Sequence, residues 1–291
     1  MISVVIATYN HGRFIREAVD SVLAQGVPGS ELIVVDDGST DGTAALLAPY
    51  GDRLRAIRQE NRGFGAARNT GARAARGALI GFLDADDVWE PGAIARLERA
   101  LEDDPRTGLA ASTYVTVDEE GRAVGTPYRR RAPRRPVSTE SLLLTDADVP
   151  GCLYRRETLE AVGPFPEATR YTVDYEMWLR VSMSWRIVVI DEPLLRKRAH
   201  ATNLSNEALR MLPAKIASVE RFAAEHPAWA AGHARLLRRA QAKNHERIAR
   251  WCLRSGDPAH RAPAREHAAR AVALDPWRAK PYLLGARAWL R

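Results

Sequence analysis

Two short apolar runs, each ending in a cluster of carboxylates, constrain this chain more than anything else in it. The first is Ile33-Val34-Val35-Asp36-Asp37-Gly38-Ser39-Thr40-Asp41 and the second is Ile80-Gly81-Phe82-Leu83-Asp84-Ala85-Asp86-Asp87. A run of about four or five apolar residues bounded by turn residues fits a buried strand of a parallel sheet. In open α/β sheets, ligands bind where such strands end. Carboxylates at those ends can accept hydrogen bonds from a nucleotide or hold a hard cation through oxygen. The acids of the second cluster repel one another unless a cation or substrate group offsets them, which marks a site of chemistry. Asp41, directly before Gly42-Thr43-Ala44, reads instead as a helix cap.

The first hundred residues alternate between the two periodicities. A strand is expected over 2–7, followed by Phe14, Ile15, Ala18, Val19, Val22 and Leu23 at helical spacing, with a stop near Gly26 and Pro28. Strands follow at 31–36, 53–58 and 79–83, and helices at 43–47, 65–76 and from Pro91 onward, where Ile94, Leu97 and Leu101 recur. Such β-α-β alternation predicts a doubly wound sheet. Further on, 109–117 reads as a strand with its turn at 118–121, 127–136 as a basic loop without regular structure, 174–184 as a helix and 187–190 as a strand.

Charge divides the chain. Residues 1–207 hold 26 Lys+Arg against 30 Asp+Glu, and residues 208–291 hold 17 against 6, so a net charge of +7 conceals balances of −4 and +11. The basic tail reads as helical throughout, over 211–225, 230–254, 264–274 and 282–290, and predicts a helical region from 207 to 291 after a catalytic body over 1–206. Between 245 and 276 the spacing resembles a tetratricopeptide-type hairpin, one unit of which cannot bury its own apolar face, so these helices should dock on a neighbouring domain or a partner. An anionic partner suits the charge: a membrane surface, a lipid diphosphate or an acidic glycan. No nucleic-acid motif accompanies it. No apolar stretch approaches about eighteen residues and no signal peptide is visible, while Cys152 and Cys252 form neither a disulfide framework nor a zinc motif. These features lead us to expect a cytoplasmic protein, peripheral at the inner face of the membrane.

With these pieces in place, the chain resembles family 2 glycosyltransferases of the GT-A fold over residues 1 to about 206. The resemblance is carried in order by Val4-Val5-Ile6-Ala7-Thr8-Tyr9-Asn10, Val34-Val35-Asp36-Asp37-Gly38-Ser39, Asn61-Arg62-Gly63 with Ala67-Arg68-Asn69, and Asp84-Ala85-Asp86-Asp87. Asp174-Tyr175-Glu176-Met177-Trp178-Leu179-Arg180 and Arg198-Ala199-His200-Ala201-Thr202-Asn203-Leu204-Ser205 complete it. It implies a GT-A type mixed α/β sheet and an inverting transfer of sugar from a nucleoside diphosphate carrier, UDP or dTDP. The implied acceptor is a glycan or lipid-linked sugar in cell-surface polysaccharide synthesis.

The resemblance also assigns roles. Negative charge builds on the departing diphosphate, and Mn²⁺ or Mg²⁺ would neutralise it. Asp86 and His200 would hold that cation, and Asp84 the ribose or water around the metal. Ala7, Thr8 and Tyr9 would lie beside base and ribose, Asp37 would accept the N3–H of the base, and Arg68 would reach toward base or diphosphate. Asp174 would be the general base, with Glu176 its rival, since the preceding Val173 stands where the family commonly has an acid. Asp87 either joins the site or braces the turn into Trp89, Asp36 satisfies turn donors, and Trp178 and Leu179 belong to the core. The segment 198–205 would form a lid. Two rival readings are a sugar-phosphate nucleotidyltransferase, which would need a Gly-rich phosphate loop that Thr8-Tyr9-Asn10-His11-Gly12 does not supply, and a non-catalytic binding module.

Overall fold

The computed structural model describes residues 1–125, 135–145, 150–203 and 207–290. The chain divides into two compact units: residues 1–138 with 147–200, and residues 139–146 with 201–291.

The first unit is a mixed sheet with helices. Its strands are β1 Ile2–Thr8, β2 Glu31–Asp36, β3 Arg55–Arg58, β4 Leu79–Asp84, β5 Val88–Trp89, β6 Thr107–Val117, β7 Arg135–Pro136, β8 Cys152–Arg155 and β9 Arg186–Arg198, in the order β3-β2-β1-β4-β8-β6-β9-β5, with β7 paired to β9. The helices of the chain are α1 Ile15–Leu23, α2 Thr43–Leu47, α3 Phe64–Ala74, α4 Ala93–Glu102, α5 Thr139–Leu144, α6 Arg156–Val162 and α7 Val173–Ser184, followed by α8 Ala208–Glu225, α9 Pro227–Gly232, α10 Ala234–Arg254, α11 Arg261–Leu274 and α12 Ala279–Leu290.

Strands β1 to β4 are parallel, and the chain steps outward from β1 through β2 to β3 before returning to the other side of β1 for β4. That reversal opens a crevice at the carboxyl ends of β1 and β4. Every residue of β1 is buried, as its unbroken apolar run requires. Ile2, Val4 and Ile6 share a core with Ile15 and Val19 of α1 and Ile94 and Leu97 of α4, each fully buried side chain contributing about 1.5–3 kcal/mol. On the opposite face α3 approaches Val5 so closely that a Cβ on Gly71 would sit 2.2 Å from Val5 Cγ1.

Several expectations need correction. β9 runs for 13 residues rather than four, pairing parallel with β6 and antiparallel with β5. The helix after Pro91 begins at Ala93, behind a left-handed Gly92. Most of the expected loop 127–136 lies outside the described residues, but Arg135 and Pro136 pair with Val189 and Val188. β8, too short to show a period, lies between β4 and β6.

The second unit is helical. α10 is packed on by α8, α11 and α12, and the shared cores are Leu212, Ile248, Cys252, Ala264 and Ala288, then Ala249, Ala268 and Leu284. The apolar face of the α10–α11 pair is therefore covered within this unit, by α8 and α12. α5 also belongs here, with Lys243 Nζ donating to Leu144 O at 2.6 Å. No helix among the described residues is long and apolar enough to cross a membrane.

Candidate active site

Because β1, β2 and β4 are parallel and in register, Thr8 lies beside Asp36 and Ala7 beside Asp84 at one edge. The residues picked out at the ends of these strands therefore meet without further folding of loops. Ala7 and Thr8 are buried, and Thr8 Oγ1 has no hydrogen-bond partner among the described residues, while the Tyr9 side chain is exposed. Asp36 behaves as expected: Oδ1 accepts from Ser39 N at 2.8 Å and Oδ2 from Arg58 Nη1 at 3.2 Å. Asp37 is buried and organises the following loop, accepting from Gln59 Nε2 at 2.7 Å, Arg62 N at 3.0 Å and Gly63 N at 2.8 Å. Asp41 receives Thr43 N at the start of α2 and Gly12 N at 2.7 Å.

At the floor of the crevice Arg68, on α3, is almost wholly buried. Its guanidinium bonds Asp84 Oδ1 at 2.8 Å and Asp174 Oδ1. The guanidinium carbon lies 4.1 Å from the Phe64 ring centroid and 5.4 Å from those of Phe82 and Phe165. Burial works against this charge, but Asp174 and Asp84 more than offset it and hold the guanidinium above its ordinary pKa. The side chain expected to reach for base or diphosphate is thus engaged by two carboxylates. Asp84 is raised by burial first, with Arg68 opposing and Asp174 and Asp86 adding to the rise. Beneath them burial pushes the Cys152 thiol up to about 12, which keeps it protonated and unreactive. On α7 it is Asp174 that joins this group; Glu176 receives Thr172 Oγ1 at 3.3 Å, and Trp178 and Leu179 are core residues.

A second group stands beside the first. His200 Nε2 and Asp86 Oδ2 are 2.9 Å apart, and the His200 ring lies 4.9 Å from that of Phe14. Ligand atoms of His11, Asp86 and His200 all lie within 4.8 Å of one another, as do those of Asp84, Asp86 and Asp87. Burial alone would raise Asp86, yet the hydrogen bond to His200 and the charges of His11 and His200 bring it below the ordinary carboxylate range. An ionised carboxylate flanked by two imidazoles is a donor set that suits a divalent cation. Asp87 is buried and raised well above its usual value, by burial and then by Asp86 and Asp84. Its Oδ1 accepts from Arg198 N at 2.9 Å, so it braces the end of β9. The Arg198 side chain bonds the carbonyls of Asp86, Asp118 and Glu119 and the carboxylate of Glu17. Of the expected lid, Leu204 and Ser205 lie outside the described residues.

Two groups at this edge escaped sequence reasoning. His11 follows β1 and was quoted only in the stretch Thr8–Gly12, with no role given to it; its position after a strand end was the only signal. Lys197 opposes the rise of Asp84 and Asp87 through its charge, and its Nζ lies 5.1 Å from the Tyr114 ring centroid. It lies in the part of β9 beyond residue 190, where the expected strand ended.

Residues 3–163 match the sequence family described as Glycosyl transferase family 2. Chondroitin synthase of Escherichia coli is 29% identical over 212 residues, 72% of this chain and 30% of that protein. In fold, the chain is similar to Staphylococcus aureus TarS 1-349, solved with UDP-GlcNAc, at a TM-score of 0.64 and 17% identity, covering 98% of this chain and 89% of that one. It is similar also to the mannosyltransferase PcManGT of Pyrobaculum calidifontis, solved with GDP-Man and Mn²⁺, at a TM-score of 0.64 and 21% identity, covering 99% and 79%. A family match across more than half the chain, on a mixed sheet with acids at the crevice edge, identifies this protein as a glycosyltransferase of family 2 with the GT-A fold.

Proposed function

We propose that the protein is an inverting, metal-dependent transferase that moves a sugar from UDP or dTDP to a glycan or lipid-linked acceptor in cell-surface polysaccharide synthesis. The observation that carries this reading is the meeting of two adjacent groups at the strand ends, Asp84 and Asp174 on buried Arg68 and Asp86 on His200. The similarity to chondroitin synthase supports a polymer as acceptor, and the nucleotide sugars in the two related structures support the donor class.

In this reading the backbone of Ala7, the Thr8 hydroxyl and Tyr9 receive base and ribose. Asp37 has its Oδ2 engaged by one backbone donor, which leaves a lone pair for a ring N–H. Asp86 and His200 hold the divalent cation, whose chemistry is to neutralise the charge of the leaving diphosphate. Asp84 turns toward ribose or metal-bound water with one oxygen while Arg68 holds the other. Asp174 has one oxygen on Arg68 and takes the acceptor's proton with the second. A single carboxylate base and one displacement give inversion. The test is turnover of a panel of UDP-, dTDP- and GDP-sugars with Mn²⁺, Mg²⁺ or chelator. UDP- or dTDP-sugar turnover that chelator abolishes is the expected result; cation-independent turnover, or use of GDP-sugars alone, overturns the corresponding part.

The helical unit supports a membrane-side acceptor. A cavity of about 490 Å³ is lined by Arg250, Arg254, Lys280 and Arg287, with Leu253 and Leu284. Trp277, Tyr282 and Leu283 nearby in sequence are exposed, Trp277 at 92%. Exposed aromatic rings combined with cations suit an anionic lipid interface.

A further inference from the structure

We propose that His11 is a third protein ligand of the divalent cation, beside Asp86 and His200, and that this donor set makes the site select Mn²⁺ over Mg²⁺. The inference rests on the metal-dependent reading above and goes beyond the pair of ligands named there.

Position and preorganisation carry it. The ligand atoms of His11, Asp86 and His200 lie within 4.8 Å of one another. Two ligands about 2.1–2.2 Å from one ion stand at most about 4.4 Å apart, so small side-chain rotations close the set. The His11 and His200 rings meet edge to face, with centroids 6.2 Å apart. His11 Nδ1 is buried and has no hydrogen-bond partner among the described residues. A buried ring nitrogen without a partner calls for one, and a cation bound among these three residues would supply it.

The backbone on both sides of His11 is fixed. Asn10 adopts φ 57°, the one left-handed non-glycine among the described residues. Its N–H donates to Ser39 Oγ at 2.9 Å and its Oδ1 accepts from Thr40 N at 2.7 Å, while Gly12 N donates to Asp41 Oδ2 at 2.7 Å. His11 O receives Phe14 N and Ile15 N, each at 2.9 Å, and so begins α1. Strained backbone held by cross-loop bonds is a mark of functional positions.

The chemistry follows from the donors. Mg²⁺ favours oxygen and dehydrates reluctantly. Mn²⁺ accepts oxygen ligands too but binds nitrogen donors more readily than Mg²⁺ does, so a set of two imidazoles and one carboxylate favours it.

The test uses the full chain stripped of metal by chelator. Calorimetric titration with MnCl₂ and MgCl₂, with and without UDP, compares wild type with His11→Phe, which keeps a ring of similar size and removes both nitrogens. Mn²⁺ affinity should weaken by at least about 10-fold, the scale at which even outer-shell partners of ligands count. Mg²⁺ affinity should change by less than about threefold, because Mg²⁺ relies on carboxylate and water. Pulsed electron paramagnetic resonance of the Mn²⁺-loaded wild type should show two directly bound imidazole nitrogens. A single nitrogen overturns the proposal whether or not the variant folds. Unchanged Mn²⁺ affinity in a folded variant also overturns it, and in both cases the metal-dependent reading stands. Absence of saturable Mn²⁺ or Mg²⁺ binding by wild type, even with UDP, defeats that reading and this inference together.

Discussion

Arg68 shows how one side chain decides the state of several. Removing it as Arg68→Met keeps the volume but leaves Asp84 and Asp174 facing each other without a cation. Loss of one partner of a fully buried pair costs about 3–5 kcal/mol. Here Asp84 and Asp174 are 36% and 29% exposed, so solvent screens part of that, and we expect about 1–3 kcal/mol. Denaturant midpoints should show the loss, and adding Asp84→Asn should recover part of it; an unchanged midpoint would leave the buried arginine energetically neutral. Asp174 carries a separate expectation. Asp174→Asn is nearly isosteric but cannot take a proton, so donor binding should persist while transfer falls by about 10²–10⁴. Inactivity of Glu176→Gln with an active Asp174→Asn would move the base to the other carboxylate.

Helix α3 is positioned by contacts that tolerate little change. An added Cβ on Gly65 would stand 2.2 Å from Pro166 O, a backbone atom that no rotamer can move. One turn on, Asn69 is buried and exchanges hydrogen bonds with Phe165, its Nδ2 donating to Phe165 O at 2.9 Å and its Oδ1 accepting from Phe165 N at 2.8 Å. The segment that would have to shift therefore carries the ring beside Arg68. Gly65→Ala should destabilise the protein by about 1–3 kcal/mol, as overpacking does. It should also weaken donor binding, readable as a smaller thermal shift with UDP. A variant with wild-type stability and nucleotide response would show that 165–167 gives way freely.

At the scale of the whole molecule the two units differ in what solution conditions do to them. In the helical unit buried His245 and half-buried His267 share a hydrogen bond between their Nδ1 atoms at 2.7 Å, in which at least one Nδ1 must be unprotonated to accept. Burial, then the charges of His267 and Arg270, lowers His245 to about 4, and burial lowers His267 as well. The unfolded chain takes up protons below about 6.5 while the folded chain declines them until about 4, so stability present above 6.5 is lost on acidification across that window. His245 alone accounts for roughly 2–4 kcal/mol. Midpoints measured from neutral pH down to about 4 should fall more steeply for wild type than for His245→Gln; parallel curves would rule the pair out as the cause. The +11 balance of 208–291 makes a different prediction. The full chain should sediment with anionic vesicles and release them as salt rises, since exposed charges are screened within about 8–10 Å at moderate ionic strength. Equal, negligible binding to anionic and neutral vesicles would leave this face without a membrane role.

The sequence by itself determined the strand ends and the helical tail, because both are written in short-range spacing. An apolar run closed by Asp36-Asp37 or Asp84-Ala85-Asp86 has one reasonable local conformation, and helical periods survive through 208–290 whatever surrounds them. The order of six motifs was enough for the family. Tertiary structure alone decided who meets whom at the site. Arg68 and Asp174 are 106 residues apart, Asp86 and His200 are 114 apart, and nothing in local spacing joins them. Their meeting depends on the reversal of strand order at β1 and on the parallel pairing of β9 with β6, which extends β9 to Arg198, two residues short of His200. The same cause hid His11, an ordinary loop histidine until β1 lies beside β4, and sent α5 to the helical unit. Local periodicity selects elements; register and strand order, set by burial across the whole sheet, select neighbours.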